Sequence, residues 1–482
     1  MERNRRSHRH HPAVDAAVGS AVDAVDAAGR IPPLWADLAP LLAPGTAPVP
    51  RTGPRWWWAG ALDVEALALG SLQALAGALA AATAGAGKRR DITLASPGAA
   101  ASFASYAHLR VNGKAVGGFA PLSGFRRTGD GWVRLHANYP HHERALLSAL
   151  EVASPDGVEA ALQRLSSREA EGRITAAGGV AAAVRTPEEW AESPAGRALQ
   201  GEPWIRVDSA AAADPQRTVA ASLYGGNGAV LDGLRVLDLT RVIAGPSGSR
   251  ILGALGADVL RIDPPGMPEL EEQYLDTGFS KRSAEADFTD PATYRRVRGL
   301  LAAADVVLLG YRGGSLARWG LDPDALRADY PDVGVVSFDA WGDAGPWAGR
   351  RGFDSIVQAA SGIAYTYGSG DSESWRPGAL PVQALDYATG IGVAAAAMAL
   401  LAARNRGISG WAHLSLARTA LELMRCPVPP PYAERTELVP ELRACSSAYG
   451  ELTYVPPPLL VDGEQLDYGW PPPRYCSSLL EW

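Results

Sequence analysis

Lysine is nearly missing from this chain. Of its 45 basic residues three are lysine, Lys88, Lys114 and Lys281, so almost every cation is written as Arg. Where a lysine does occur, a specific need for a compact ammonium becomes more plausible. Cysteine is scarce as well. Cys426, Cys445 and Cys476 are odd in number, widely spaced and without CxxC pairing, so neither a disulfide framework nor a zinc site is indicated, and no metal is expected. An excess of positive charge is also lacking. With 45 basic against 52 acidic residues the formal net charge is −7, which leaves no electrostatic case for nucleic acid or an anionic membrane. The N-terminal stretch, basic to Pro12 and then rich in Ala, Val and Asp, lacks the unbroken apolar core of a signal peptide. Long apolar runs are missing elsewhere, apart from the Ala-rich helix after Asp386, which reads as buried core rather than a membrane span. The expectation is a soluble cytoplasmic protein with no membrane partner.

What is present is an ordinary globular composition, 47% hydrophobic and 20% charged over 482 residues, enough for a large core. Residues 1–55 read as a disordered tail and Pro-rich linker, and 56–208 as a first half. A second linker spans 209–230, a second half 231–425, and a Pro-rich segment closes the chain at 426–482. In the second half, apolar runs at Leu234–Leu239, Ala257–Asp263, Asp305–Leu309 and Val333–Phe338 alternate with helical segments. Repeats of that length call for a parallel sheet with right-handed crossovers. The fold expected is therefore α/β, a Rossmann-like parallel sheet with flanking helices plus a smaller α+β domain. Nicotinamide binding is argued against by the first turn. Ala244-Gly245-Pro246-Ser247-Gly248 lacks the GxGxxG spacing, and its proline removes a donor.

One carboxylate stands out. Asp386 opens a long Ala-rich helix that carries no other acid before Glu422. It can be an ordinary N-cap, or a nucleophile held beside helix N–H groups that suit an anionic centre. Ala61-Leu62-Asp63 introduces a similar helix in the first half, with a strand at similar spacing after it, which favours a duplicated element. Asp63 lacks the Tyr-Ala-Thr-Gly context of Asp386 and reads as a structural N-cap.

Taken in order, the motifs of the second half resemble the family III CoA-transferases (CaiB/BaiF type). They run from Leu231-Asp232-Gly233-Leu234 through Ala244-Gly245-Pro246, Lys281-Arg282-Ser283, Tyr311-Arg312 and Gly352-Phe353-Asp354 to Leu385-Asp386-Tyr387-Ala388-Thr389-Gly390. The first half resembles the family's downstream portion, through Asp130-Gly131-Trp132-Val133 and Thr186-Pro187-Glu188-Glu189-Trp190. The chain thus resembles a partial copy fused before a second, truncated one. The resemblance implies transfer of CoA from an acyl-CoA to a small carboxylic acid, with Asp386 as the nucleophile and CoA as substrate rather than a permanently bound cofactor. It also implies a homodimer, and places Arg241, Val242, Ala244, Lys281 and Arg312 beside CoA. Gly390, with Gly392, is expected to let the thioester approach, and helix N–H groups to stabilise its oxyanions. A non-catalytic binding or scaffold member is the competing reading. Racemisation of a 2-methylacyl-CoA is disfavoured, because Phe353 stands where racemases carry a proton-transferring histidine. His136 and His413 are expected to be ordinary half-buried histidines.

Overall fold

The computed structural model describes residues 34–46, 49–53, 55, 57–217, 229–426 and 437–482. The basic tail, the glycine turn at 225–228 and residues 427–436 of the Pro-rich segment lie outside the described residues. In chain order, helix α1 (Val64–Gly85) leads to strand β1 (Ile92–Ala95) and helix α2 (Ser96–Phe103). Strands β2 (Gly124–Arg127), β3 (Trp132–Leu135) and β4 (Ala181–Ala183) form a small antiparallel sheet. Strand β5 (Ile205–Ala211) closes the first half. Then come β6 (Arg235–Leu239), α3 (Ala244–Ala254), β7 (Asp258–Asp263), β8 (Arg282–Glu285) and β9 (Val306–Leu309). The order continues with β10 (Gly334–Asp339), α4 (Asp354–Ser361), α5 (Ala384–Arg404), β11 (Ile408–Ser415) and α6 (Leu416–Arg425). A hairpin of β12 (Arg443–Ser447) and β13 (Gly450–Tyr454) follows.

The main sheet has the order β8-β7-β6-β9-β10-β11-β5. All neighbours pair in parallel except β5, which runs antiparallel along β11. The strand order reverses at β6, so the carboxyl ends of β6 and β9 flank a switch point, where open α/β sheets bind ligands. The architecture is α/β, a Rossmann-like sheet with flanking helices, and the small sheet has its own apolar core around Val133, Leu146, Leu162 and Ile174.

Several boundaries differ from expectation. Within the expected linker, Ala36–Leu41 forms a 3₁₀ helix whose Leu38 and Leu41 are fully buried. Strand β5 runs across residue 208 into the expected second linker, because its edge pairing satisfies backbone groups that a linker would leave to water. Helix α3 begins at Ala244, so Gly245 and Pro246 lie in its first turn rather than in a loop. A proline there forgoes only an N–H that has no helical partner.

Helices α1 and α5 are long and apolar enough to cross a membrane, yet α5 is wholly buried and lies along α1 in the core. The same order of helix, strand and helix follows both Asp63 and Asp386: α1-β1-α2 and α5-β11-α6. Small residues let α3 and α5 meet backbone to backbone. A Cβ on Gly390 would lie 2.0 Å from the Ala244 carbonyl oxygen, and one on Gly248 would lie 2.1 Å from that of Gly390.

Candidate active site

Asp386 is the third residue of α5 and only 6% exposed. It does not cap the helix. The N-cap position is Gln383, whose side chain makes no capping bond. The cap comes from another element: the Asp354 carboxylate, at the start of α4, accepts from the backbone N–H of Leu385 at 2.9 Å and of Asp386 at 3.1 Å. Its second oxygen accepts from Gln358 Nε2, and Gln358 in turn accepts from Leu380 N–H at 2.9 Å. The first-turn amides expected to steady an oxyanion are thus already occupied. Asp354 takes that place because α4 packs against the start of α5 and orphan N–H groups buried there need a partner.

Burial and the nearby Asp354 carboxylate hold the Asp386 carboxyl well above the usual range. Burial likewise pushes Asp354 up to about 6, opposed by its hydrogen bonds from Gln358, Asp386 and Leu385. Two carboxyls this close resist ionising together. The only phenol on this turn, Tyr387, reaches into the first half: its Oη lies 3.0 Å from Ser105 Oγ and donates to Asp276 at 3.3 Å.

Beside this turn lies a cavity of about 270 Å³, bordered by Asp354, Gln383 and Tyr387 from the second half and by Phe103, Phe119 and Arg134 from the first. Arg134, on β3, was not singled out from the sequence. Its guanidinium sits 4.8 Å from the ring centres of both Phe119 and Phe125. His136, just past the end of β3, stacks on Phe353 at 3.7 Å with ring planes 5° apart, so a histidine expected to be ordinary and half-buried touches the Gly352-Phe353-Asp354 motif. Burial lowers His136 to about 3, so the ring is neutral, and it is only 5% exposed.

The residues expected to meet CoA divide into two groups. Arg241 and Arg312 follow the carboxyl ends of β6 and β9, on either side of the switch point. Arg241 donates to the carbonyls of Met267 at 2.7 Å and Pro268 at 3.1 Å, with its Nε 3.5 Å from Glu269. Arg312 is exposed and lines a second cavity of about 210 Å³; its charge adds to the burial that lowers Arg351. Val242 adopts φ +68°, costly for a β-branched residue, and its N–H donates to Glu269 at 2.8 Å.

The others face inward. Lys281 is 1% exposed, and its ammonium donates to Ser249 Oγ at 2.6 Å, the Pro246 carbonyl at 2.8 Å and Asp238 at 3.2 Å. It pins β8 to α3 and β6 instead of presenting charge to a phosphate. Burial lowers its pKa to about 8. Ala244 and Gly390 meet each other at the α3–α5 contact, and Gly392 packs against Leu414 and Trp204, so both glycines permit close helix packing. Asp63 caps α1, accepting from Ala66 N–H at 2.9 Å and pairing with buried Arg55.

The fold is that of an α/β protein with a switch point flanked by Arg241 and Arg312, and with a buried carboxyl in the first turn of α5. The family model for CoA-transferase family III matches residues 231–443. Among similar proteins is a probable fatty acyl-CoA transferase of Mycobacterium tuberculosis. It is 34% identical over 189 residues, which cover 36% of this chain and 47% of that protein. A succinyl-CoA:glutarate CoA-transferase of Mus musculus is 35% identical over 188 residues, covering 36% and 42%. A succinate–glutarate CoA-transferase of Agrobacterium fabrum is 35% identical over 196 residues, covering 37% and 48%. The chain therefore spans less than half the length of these relatives.

Proposed function

We propose that the protein is a CoA-transferase that moves CoA between an acyl-CoA thioester and a small free carboxylic acid, with Asp386 as the nucleophile. The observation that carries this reading is the placement of Asp386. It is a buried carboxyl at the first turn of α5 with no hydrogen-bond partner among the described residues, next in the chain to Tyr387, which lines a cavity, and within the segment matched to the family. The Asp386 carboxylate attacks the thioester carbonyl, forming an acyl–aspartyl anhydride and releasing CoA thiolate. The thiolate attacks the aspartyl carbonyl of the anhydride, which frees the first acid and leaves CoA on Asp386 as a thioester. The acceptor carboxylate then opens that thioester to a second anhydride. CoA thiolate attacks the acceptor's carbonyl, and the new acyl-CoA leaves with Asp386 restored. Each step exchanges acyl species of comparable energy, so neither ATP nor a metal is consumed.

Arg241 and Arg312 at the switch point are the cations proposed to face the CoA phosphates. Desolvation makes Asp386 harder to ionise and correspondingly more basic, so adduct formation should rise with pH above the ordinary carboxylate range. A homodimer, implied by the family resemblance, and a cytoplasmic location, expected from the composition, belong to the same proposal. Incubation with acyl-CoA followed by hydroxylamine tests it: the wild type should be inactivated through its aspartyl thioester, and Asp386→Ala should show no exchange. Wild-type exchange by Asp386→Ala would reject the assignment and favour the non-catalytic reading.

A further inference from the structure

We propose that Glu269, on the loop after β7, is a positioning residue for the switch point: it holds the turn at Arg241 and Val242 in the form that receives the phosphates of CoA. The inference rests on the transferase reading above, which sets Arg241 toward those phosphates. It adds a residue that no motif in the sequence singles out and that touches no substrate itself.

Four segments of the chain converge on this carboxylate, whose side chain is fully buried. One oxygen accepts from Val242 N–H at 2.8 Å and from Arg261 of β7 at 3.0 Å, with Arg241 Nε at 3.5 Å. The other accepts from Leu270 N–H at 3.1 Å and from the hydroxyl of Tyr139, in the first half. The Glu269 N–H donates to Tyr475 Oη, in the C-terminal segment, at 3.2 Å. Burial alone would raise the carboxyl, but Arg261 and then Arg241 hold it down at about 2, so the clamp is charged at neutral pH.

The turn it clamps is under strain. Val242 adopts φ +68°, where the branched Cβ crowds the backbone, and such a conformation persists only when its surroundings enforce it. The bond from Val242 N–H to Glu269 holds it from outside the turn. Arg241 is gripped by the same loop, through the carbonyls of Met267 and Pro268. Those bonds use two of the five guanidinium donors, and the side chain is 14% exposed, so donors remain for an anion. Residues 267–269 thus set both backbone and side chain of the turn, at the carboxyl end of β6, where an open α/β sheet binds its ligand. Tyr139 extends the clamp into the first half, so both halves shape the phosphate-facing turn.

Calorimetric titration with adenosine 3′,5′-bisphosphate, which carries phosphates of CoA but no thiol arm, tests this. Glu269→Gln should weaken binding about tenfold, the effect of one charge-assisted contact. Glycine takes positive φ without strain, so in a Val242→Gly background the same change should weaken binding by less than about threefold. That dependence on residue 242 separates positioning from a merely structural role, which would weaken binding alike in both backgrounds. Tyr139→Phe keeps the ring and removes one donor; its loss of about threefold should likewise vanish with Val242→Gly, and it serves if Glu269→Gln does not fold. Undiminished binding by Glu269→Gln, an equal loss in both backgrounds, or no binding by wild type would overturn the proposal. The two readings fail separately. Bisphosphate binding that depends on Glu269, in protein that forms no CoA adduct on Asp386, removes the transferase and leaves the clamped site. An adduct in protein whose bisphosphate affinity ignores Glu269 removes only the positioning role.

Discussion

Replacing Asp386 by Asn tests the reactive residue without changing its shape. The variant should form no CoA adduct. Its stability should also depart from wild type in a defined direction. The native carboxyl is held above its unfolded value, so folding favours the protonated form, and the penalty develops as pH rises through and beyond the ordinary carboxylate range. Asp386→Asn should therefore match wild type in melting temperature near pH 4 and exceed it increasingly toward pH 8, read by thermal unfolding across that range. An equal or lower melting temperature at pH 8 would mean that the carboxylate is stabilised where it stands. Asp63 provides the contrast at the same scale. Asp63→Ala removes the cap of α1 and the carboxylate that pairs with buried Arg55, so it should cost about 1–2 kcal/mol in denaturant unfolding while the adduct on Asp386 still forms. Sequence alone indicated both aspartates, because acids at helix starts are conspicuous. It could not indicate that Asp354 caps α5, since that contact joins positions far apart in the chain.

Helix α5 owes its position to small residues. A methyl at Gly390 would meet the Ala244 backbone carbonyl rather than a movable side chain, so the helices would have to separate. Gly390→Ala should destabilise by at least about 1–3 kcal/mol in denaturant unfolding, the usual range for overpacking. A thioester-approach role would instead lower adduct formation with stability unchanged. The strands of the parallel sheet were legible because each is a short apolar run between turn signals. Strand β5 was not: Arg206 and Asp208 break its apolar pattern, and only its pairing with β11 at the sheet edge makes it a strand. Lys281 misled for a related reason. Its rarity pointed to a phosphate, but the buried Asp238 and Ser249 that hold its ammonium are recognisable only once β6, β8 and α3 are assembled.

Across the whole molecule, the two halves depend on each other. The first half supplies the last strand of the main sheet, a helix lying along α5, and Phe103, Phe119 and Arg134 around the cavity. The fragment 229–482 should accordingly fail to fold alone, since it would expose the apolar face that α5 turns toward α1; circular dichroism with a cooperative melt would show otherwise. The resemblance of the second half was readable from ordered motifs, whereas the proximity of Arg134 to Asp354 needed both halves in place. The central claim is that Asp386 is acylated and then carries CoA. Peptide mass spectrometry after exposure to a panel of acyl-CoAs, with borohydride or hydroxylamine trapping, addresses it most directly. The account predicts a CoA-dependent modification confined to the peptide containing Asp386 and absent from Asp386→Asn. An unmodified Asp386 peptide, in protein that nonetheless exchanges CoA between acids, would contradict it.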